Sequence, residues 1–314
     1  MGKRKRKKGL AAAVLEYLPL HVLYLTFRSL PLKSAINLSN CIAGLAFRFD
    51  CKHRRRAVQH LLHAGITEDS EQAEAIALRS YQQFSMLVVE LCKFDQIVPL
   101  GSISERISAS ALHPEFQDEI DEALKKPLIL VSAHYGNWEL AGIFYHKRYK
   151  HDIISVMRPF QNPFLSKLVQ KLRQAEGHQS VDKNGSIRVL LKSLKQGKSI
   201  AILADQHASS GEGVESLFFG QPCRTHFSPA LLHLKTGIPI LVSVTRRVDN
   251  NFNFEYVLDR PISYTPTGNK EADIKAVTQL YTSSLERLIQ QQPEQWLWSH
   301  RRWLNINRKS ARQT

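Results

Sequence analysis

The residues best suited to chemistry lie in one stretch, Pro127-Leu-Ile-Leu-Val-Ser-Ala-His134-Tyr-Gly136-Asn137-Trp-Glu139-Leu-Ala-Gly-Ile-Phe144. His134 exchanges a proton near neutral pH. A carboxylate shortly after it, Glu139, can fold back to fix its tautomer and stabilise the imidazolium. Such a pair serves general-base catalysis. The plainer reading is a satisfied core histidine beside a helix-cap charge. The flanking sequence bears on the choice. Leu128–Val131 is a short apolar run with β-branched residues, the pattern of a buried strand. Asn137 is a natural helix N-cap, Gly136 permits the tight turn before it, and Glu139 falls in the first turn, where the helix dipole favours an anion. His134 therefore leaves the carboxyl end of a strand and faces a helix N-terminus. Open α/β sheets bind ligands at that edge.

Two more apolar runs end in polar residues. Asp152–Met157 ends at Arg158, and Ser199–Ala204 ends at Asp205-Gln206-His207. Strand ends on one sheet edge converge, so His134, Arg158 and Asp205 can line one cleft. Arg158 offers a fork for phosphate or carboxylate, or else forms a structural ion pair. Asp205 orients another side chain, contacts substrate, or is simply a turn residue. An oxyanion formed in such a cleft needs donors, for which backbone N–H groups near Asn137 or a basic side chain are candidates.

Other chemistries fit less well. The chain has no G-x-S-x-G elbow, no G-x-G-x-x-G after a strand, no G-x-x-x-x-G-K-[ST] loop and no H-E-x-x-H pair. No Ser or Cys stands in an activating context. A base without a protein nucleophile implies that the substrate supplies the attacking hydroxyl. Cys41, Cys51, Cys92 and Cys223 show no C-x-x-C spacing, which argues against a zinc site or a disulfide framework and fits a reducing compartment.

The elements that must position these residues follow from pattern. With 314 residues and 43% hydrophobic content, the chain can build one large α/β domain or two small ones. Residues 1–8 read MGKRKRKK, and a mostly apolar segment from Gly9 to Phe27 follows, interrupted by Glu16, Pro19 and His21. This predicts a helix lying in the cytoplasmic face of a membrane beside its basic flank, with a spanning helix or an ordinary buried first helix as the alternatives. Leu30 to Ile97 reads as helical, with a stop at Gly65 and a new start at Thr67-Glu68-Asp69. The Arg54-Arg55-Arg56 run within it reads as a solvated face. Beyond His134, strands and helices alternate. Helices are expected from Asn162-Pro163 to about Glu176, from Gly185 to Lys195, from Ser228-Pro229 to Gly237 and from Asn269 to Gln292. Strands are expected at Ile238–Val244 and Phe252–Leu258, with residues 208–222 as a loop. The alternation implies an α/β fold, a mainly parallel central sheet with helices on both faces. Residues 1–31 then form a basic and apolar membrane-associating segment, and residues 32–314 one domain.

Several tracts together resemble the bacterial lipid A biosynthesis late acyltransferases, the lauroyl and myristoyl transferases. They are His134-Tyr-Gly-Asn-Trp-Glu139, Arg158-Pro-x-x-Asn162-Pro, Asp205-Gln206, Phe218-Phe219-Gly220 with Thr225, and Trp296-Leu-Trp-Ser-His-Arg. That family lies within the lysophospholipid acyltransferase superfamily and its H-x-x-x-x-[DE] motif. The resemblance covers nearly the whole chain, including the helical region through Glu90. It implies a glycerol-phosphate-acyltransferase-like fold. It also implies transfer of a fatty acyl chain from an acyl carrier protein thioester, or from acyl-CoA, to a hydroxyl of an anionic glycolipid such as a lipid A precursor. The site would face the cytoplasm at the inner membrane, with no metal or organic cofactor. Carried onto this chain, His134 is the base and Glu139 its partner. Asn137, Arg158, Asp205 and Gln206 are the candidate substrate-binding residues.

The charge balance agrees with this reading. Forty-three Lys and Arg against 28 acids give a net charge of +15, so the partners should be anionic. A basic nucleic-acid-binding protein would also explain the charge, but not the apolar N-terminus or the His-Glu turn, and no nucleic-acid partner is expected. A catalytically silent membrane-surface protein of the same fold is the other alternative.

Overall fold

The computed structural model describes residues 10–97, 103–157, 162, 178–182 and 186–304. The basic cluster at residues 1–8, Arg158 and the helix expected after Asn162 lie outside the described residues. Helices α1 (Leu10–Ser29), α2 (Leu32–Phe49), α3 (Cys51–His63) and α4 (Ser70–Ile97) come first. The short α5 (Ile103–Arg106), β1 (Ile107–Ala111) and α6 (Gln117–Leu124) follow. Then come β2 (Ile129–Ser132), α7 (Trp138–Tyr149), β3 (Ile153–Met157), β4 (His178–Asp182), α8 (Ser186–Lys195) and β5 (Ser199–Leu203). The chain continues through β6 (Gly213–Phe218), β7 (Gln221–His226), α9 (Ser228–Thr236), β8 (Ile240–Arg247), β9 (Phe254–Leu258) and α10 (Lys270–Gln291).

The main sheet runs β1-β9-β8-β2-β5-β3-β4. Pairing is parallel except between β8 and β9. Its central strand β2 is buried at every position, as expected of a strand covered on both faces. Alternate residues serve two cores. Ile129 and Val131 join a cluster with Ala57 and Leu61 of α3, Ile76 of α4, Leu190 of α8 and Leu285 of α10. Leu128 and Leu130 face Ile120 and Leu124 of α6 and Ile143 and Phe144 of α7. The mainly parallel, two-faced α/β sheet expected from the alternation is thus present.

Local signals placed the helices well. Asn269 caps α10 by accepting from the Ala272 N–H. Pro229 sits in the first turn of α9, and Gly237 ends it at φ 70°. One expectation fails. Residues 208–222 are not all loop, because β6 and β7 pair there as an antiparallel hairpin from Gly213↔His226 to Phe218↔Gln221. Its inward positions include Gly213, Ser216 and Thr225, so the strands lack an apolar alternation.

Helix α1 is present with Pro19 inside it. Among the described residues, no helix is long and apolar enough to cross a membrane. The end of α1 packs onto the helices that follow. Phe27 is buried against α2 and α4, and Arg28 donates to Asp95 at 2.6 and 3.0 Å.

Candidate active site

The site grows out of the turn between β2 and α7. Parallel pairing sets Ser132 of β2 opposite Leu203 of β5. Two residues further along each chain, His134 and Asp205 therefore face each other at the carboxyl edge. The Asp205 carboxylate receives the His134 backbone N–H at 2.9 Å and lies 2.8 Å from Nδ1 of the same residue. The Trp296 indole N–H donates to it at 2.8 Å. Asp205 is buried. Burial alone would raise its pKa, but the neighbouring His134 and the hydrogen bonds it supplies outweigh that cost and hold the carboxyl well below its ordinary range. An ionised carboxylate only accepts, so Nδ1 carries the proton and Nε2 is the ring nitrogen able to take one up. The His134 side chain is 19% exposed, enough to be reached.

The ring is packed from several sides. Trp138 meets it edge-on at 5.1 Å between centroids, and the His300 ring lies 5.1 Å away. The Gln206 amide nitrogen is 3.3 Å from Nδ1 and 3.2 Å from Nε2 of His134. An atom so nearly equidistant from both nitrogens would collide with Cε1 if it lay in the ring plane. It sits over the ring face instead, and it reaches Nε2 of His300 at 3.0 Å. Burial, helped by His134, pushes His300 down to about 4, so it stays a neutral acceptor there.

Glu139 stands in the first turn of α7 as expected, and its carboxylate receives the Trp138 indole N–H at 3.1 Å. The carboxylate on Nδ1 of His134 is that of Asp205, which lies far off in sequence.

Asn137 caps α7 by accepting from Leu140 N–H at 3.2 Å, as its sequence position indicates. It does not face the cleft. Its amide nitrogen donates to Glu90 at 2.8 Å, and the residue is fully buried. Its backbone N–H donates to the Thr245 carbonyl and that of Gly136 to the Gln295 carbonyl, both at 3.0 Å. These amides are spent inside the turn, so the expectation that they serve substrate or oxyanion is corrected. Gly136 adopts φ 52°, and a Cβ there would overlap the Thr245 carbonyl oxygen.

Sequence reasoning missed the network around Glu90. Arg247, at the end of β8, forms a forked pair with Glu90 at 2.5 and 2.7 Å, and its guanidinium also reaches Gln83. The signal was an acid inside the apolar run Met86-Leu-Val-Val-Glu90-Leu-Cys92. It also gave no role to Trp296 and His300, although both stand in the C-terminal tract. That tract crosses the sheet edge, with Leu297 N–H donating to the His134 carbonyl at 3.1 Å. His60 lies 3.1 Å from the Trp298 carbonyl, and Arg56 donates to the Ser299 carbonyl at 3.0 Å.

The described residues hold no group of three or more His, Cys, Asp or Glu arranged for a metal. What they do hold is a histidine oriented by a buried carboxylate. A cleft of about 460 Å³ opens beside it, lined by Gln206 and His300 and by Arg56 and Arg301.

Residues 3–305 match the family described as bacterial lipid A biosynthesis acyltransferase. The chain belongs to that family. Within it, the lipid A biosynthesis lauroyltransferase of Escherichia coli (strain K12) is 23% identical over 293 residues, covering 92% of this chain and 91% of its own. The phosphatidylinositol mannoside acyltransferase of Mycobacterium tuberculosis (strain CDC 1551 / Oshkosh) is 26% identical over 196 residues, 60% of this chain. The match spans 58% of the mycobacterial protein's length. Family membership confirms the resemblance drawn from the five tracts.

Proposed function

We propose that this protein transfers a fatty acyl chain from an acyl thioester to a hydroxyl of a glycolipid such as a lipid A precursor. The donor is an acyl carrier protein or acyl-CoA. The observation that carries this reading is the His134–Asp205 pair at the carboxyl edge of β2 and β5, with Nδ1 held and Nε2 left as the base. Family membership supplies the reaction class.

In this reading Nε2 of His134 removes the proton as the acceptor oxygen attacks the thioester carbonyl carbon. A C–O bond forms, and the carbonyl electrons move onto oxygen. Collapse of the tetrahedral intermediate breaks the C–S bond, and the departing thiolate takes the proton from the imidazolium. Asp205 keeps the tautomer and stabilises the transient charge. Glu139 steadies the indole packed on the base. Gln206 is an amide donor close to the reacting centre, and Arg158 is retained as a contact for the anionic substrate.

The same reading puts the protein on the cytoplasmic face of the inner membrane, through residues 1–31 ahead of a single acyltransferase domain at 32–314. Leu15, Leu18, Val22 and Leu25 of α1 and Leu45 and Phe49 of α2 are exposed, which supports a lipid-facing apolar surface. Removing residues 1–27 is expected to release much of the protein from membranes on fractionation. Equal retention would remove the anchor from the account.

The testing experiment incubates the pure protein with radiolabelled acyl-carrier thioester and a panel of lipid acceptors. Label moving into a glycolipid is expected. Release of free fatty acid alone, or no use of the thioester, would contradict the proposal.

A further inference from the structure

The arginine run on α3, read from sequence as a solvated face, lies beside the site. Lys52, Arg55, Arg56 and Gln59 recur at helical spacing on one side of α3 and, with Arg301, line a cavity of about 490 Å³. The adjoining cleft shares Arg56 and Arg301 with it and continues to Gln206 and His300, next to the base. The cationic wall therefore continues to Gln206 and His300, two residues that contact the His134 ring. Arg56 is fixed between them by its bond to the Ser299 carbonyl.

Asp50 acts electrostatically on Arg56 from outside both cavities, and the lining itself carries no compensating charge. Neither cavity is lined by an Asp or Glu. Among the described residues, Lys52, Arg55 and Arg301 form no ion pair, whereas Arg54, which lines neither cavity, approaches Glu74 at 3.9 Å. Four cations around one concave surface repel one another unless an anion sits among them. Guanidinium groups match the oxygens of a phosphate in a forked geometry. A carboxylate could occupy one fork, but a wall of three arginines and a lysine suits the higher charge and extra oxygens of phosphate.

We propose that Lys52, Arg55, Arg56 and Arg301 form a phosphate subsite that holds a phosphate ester of the substrate while its reacting end lies at His134. The assignment rests on the acyl-transfer reading of the site. The phosphate belongs either to the headgroup of the acceptor lipid or to the thioester donor.

The test uses the full chain. Inorganic pyrophosphate binding is measured by calorimetry at fixed ionic strength for the wild type, for Arg55→Ala/Arg301→Ala and for Arg54→Ala. The double variant is expected to bind about tenfold more weakly or worse, and Arg54→Ala within about twofold of wild type. Both altered side chains are exposed, so folding should persist. Melting curves check this, and Lys52→Gln/Arg55→Gln replaces the double variant if it fails to fold. Two kinetic arms then name the source. One compares a phosphorylated acceptor with its phosphatase-treated form. The other compares an acyl-phosphopantetheine thioester with an acyl-N-acetylcysteamine thioester, which has no phosphate. The double variant should lose about tenfold of the preference for phosphate in one arm. Equal pyrophosphate affinity in wild type and double variant, or no wild-type binding at millimolar concentration, overturns the subsite. Pyrophosphate binding without any acyl transfer would instead overturn the reaction and leave the subsite standing.

Discussion

His134 and Asn137 stand three residues apart in one turn, yet their side chains enter polar assemblies of opposite kinds. His134 pairs with Asp205 and stays partly exposed, packed against Gln206 and His300, which line a cleft. Asn137 turns inward to Glu90, which is locked by Arg247 and is 4% exposed. Both assemblies join strands that end at the same sheet edge. The difference is access. The bonds of the inner network hold α4, β8 and the start of α7 together. The outer pair spends its carboxylate on one side of an imidazole whose side chain is 19% exposed. Damage to the inner network should therefore appear as lost stability, and damage to the outer pair as lost rate.

The largest effect is expected from Arg247→Ala. It leaves the Glu90 carboxylate buried without its cation, which typically costs about 3–5 kcal/mol. Urea denaturation should show that loss, while turnover per folded molecule stays near wild type. A large rate loss at unchanged stability would erase the distinction between the two networks. Asp205→Asn comes next. Asparagine keeps the shape but can donate to Nδ1, favouring the wrong tautomer, so kcat should fall by about 10²-fold or more. Wild-type kcat in this variant would mean that the acid on the ring does no more than pack.

The smallest effect is in pH. Burial lowers His60 to about 3 and His300 to about 4, against an unfolded value near 6.5. From pH 6.5 down to about 4 the unfolded chain binds protons that the folded chain refuses. Stability should therefore fall on acidification, each histidine contributing at most about 1.4 kcal/mol per pH unit. Asp205 is shifted below its ordinary value, so its contribution is present above the unfolded carboxylate pKa and fades as pH falls further. His60→Gln should flatten the slope between pH 6.5 and 4 as measured by thermal melts, and an unchanged slope would exclude His60 as a source.

Local signals made much of this arrangement legible. The strand before His134, the Asn137 cap and the tight turn at Gly136 all depend on neighbours within a few residues, and all are present. The apolar run before Asp205 marks it as a strand end able to orient another group. Its choice over Glu139 as the Nδ1 partner depends on register, because β5 lies beside β2 and matches Ser132 with Leu203. Proximity in sequence favoured Glu139, whose carboxylate receives the Trp138 indole N–H. Glu90 and Arg247 meet across 157 residues, and no local pattern announces that contact. Strand β1, Ile-Ser-Ala-Ser-Ala, gave no signal because its small residues carry little alternation at the sheet edge. The arginines of α3 looked like a solvent face because the C-terminal segment that closes their cavity is distant in sequence.

The most direct test is acyl transfer by His134→Ala, measured beside its melting temperature. The side chain lies at a strand end and is partly exposed, so its loss opens no large core cavity. The account predicts a melting temperature close to wild type and a rate reduced by about 10²–10⁴, the usual contribution of a positioned general base. Acyl transfer at near wild-type rate by the folded variant would contradict the central claim.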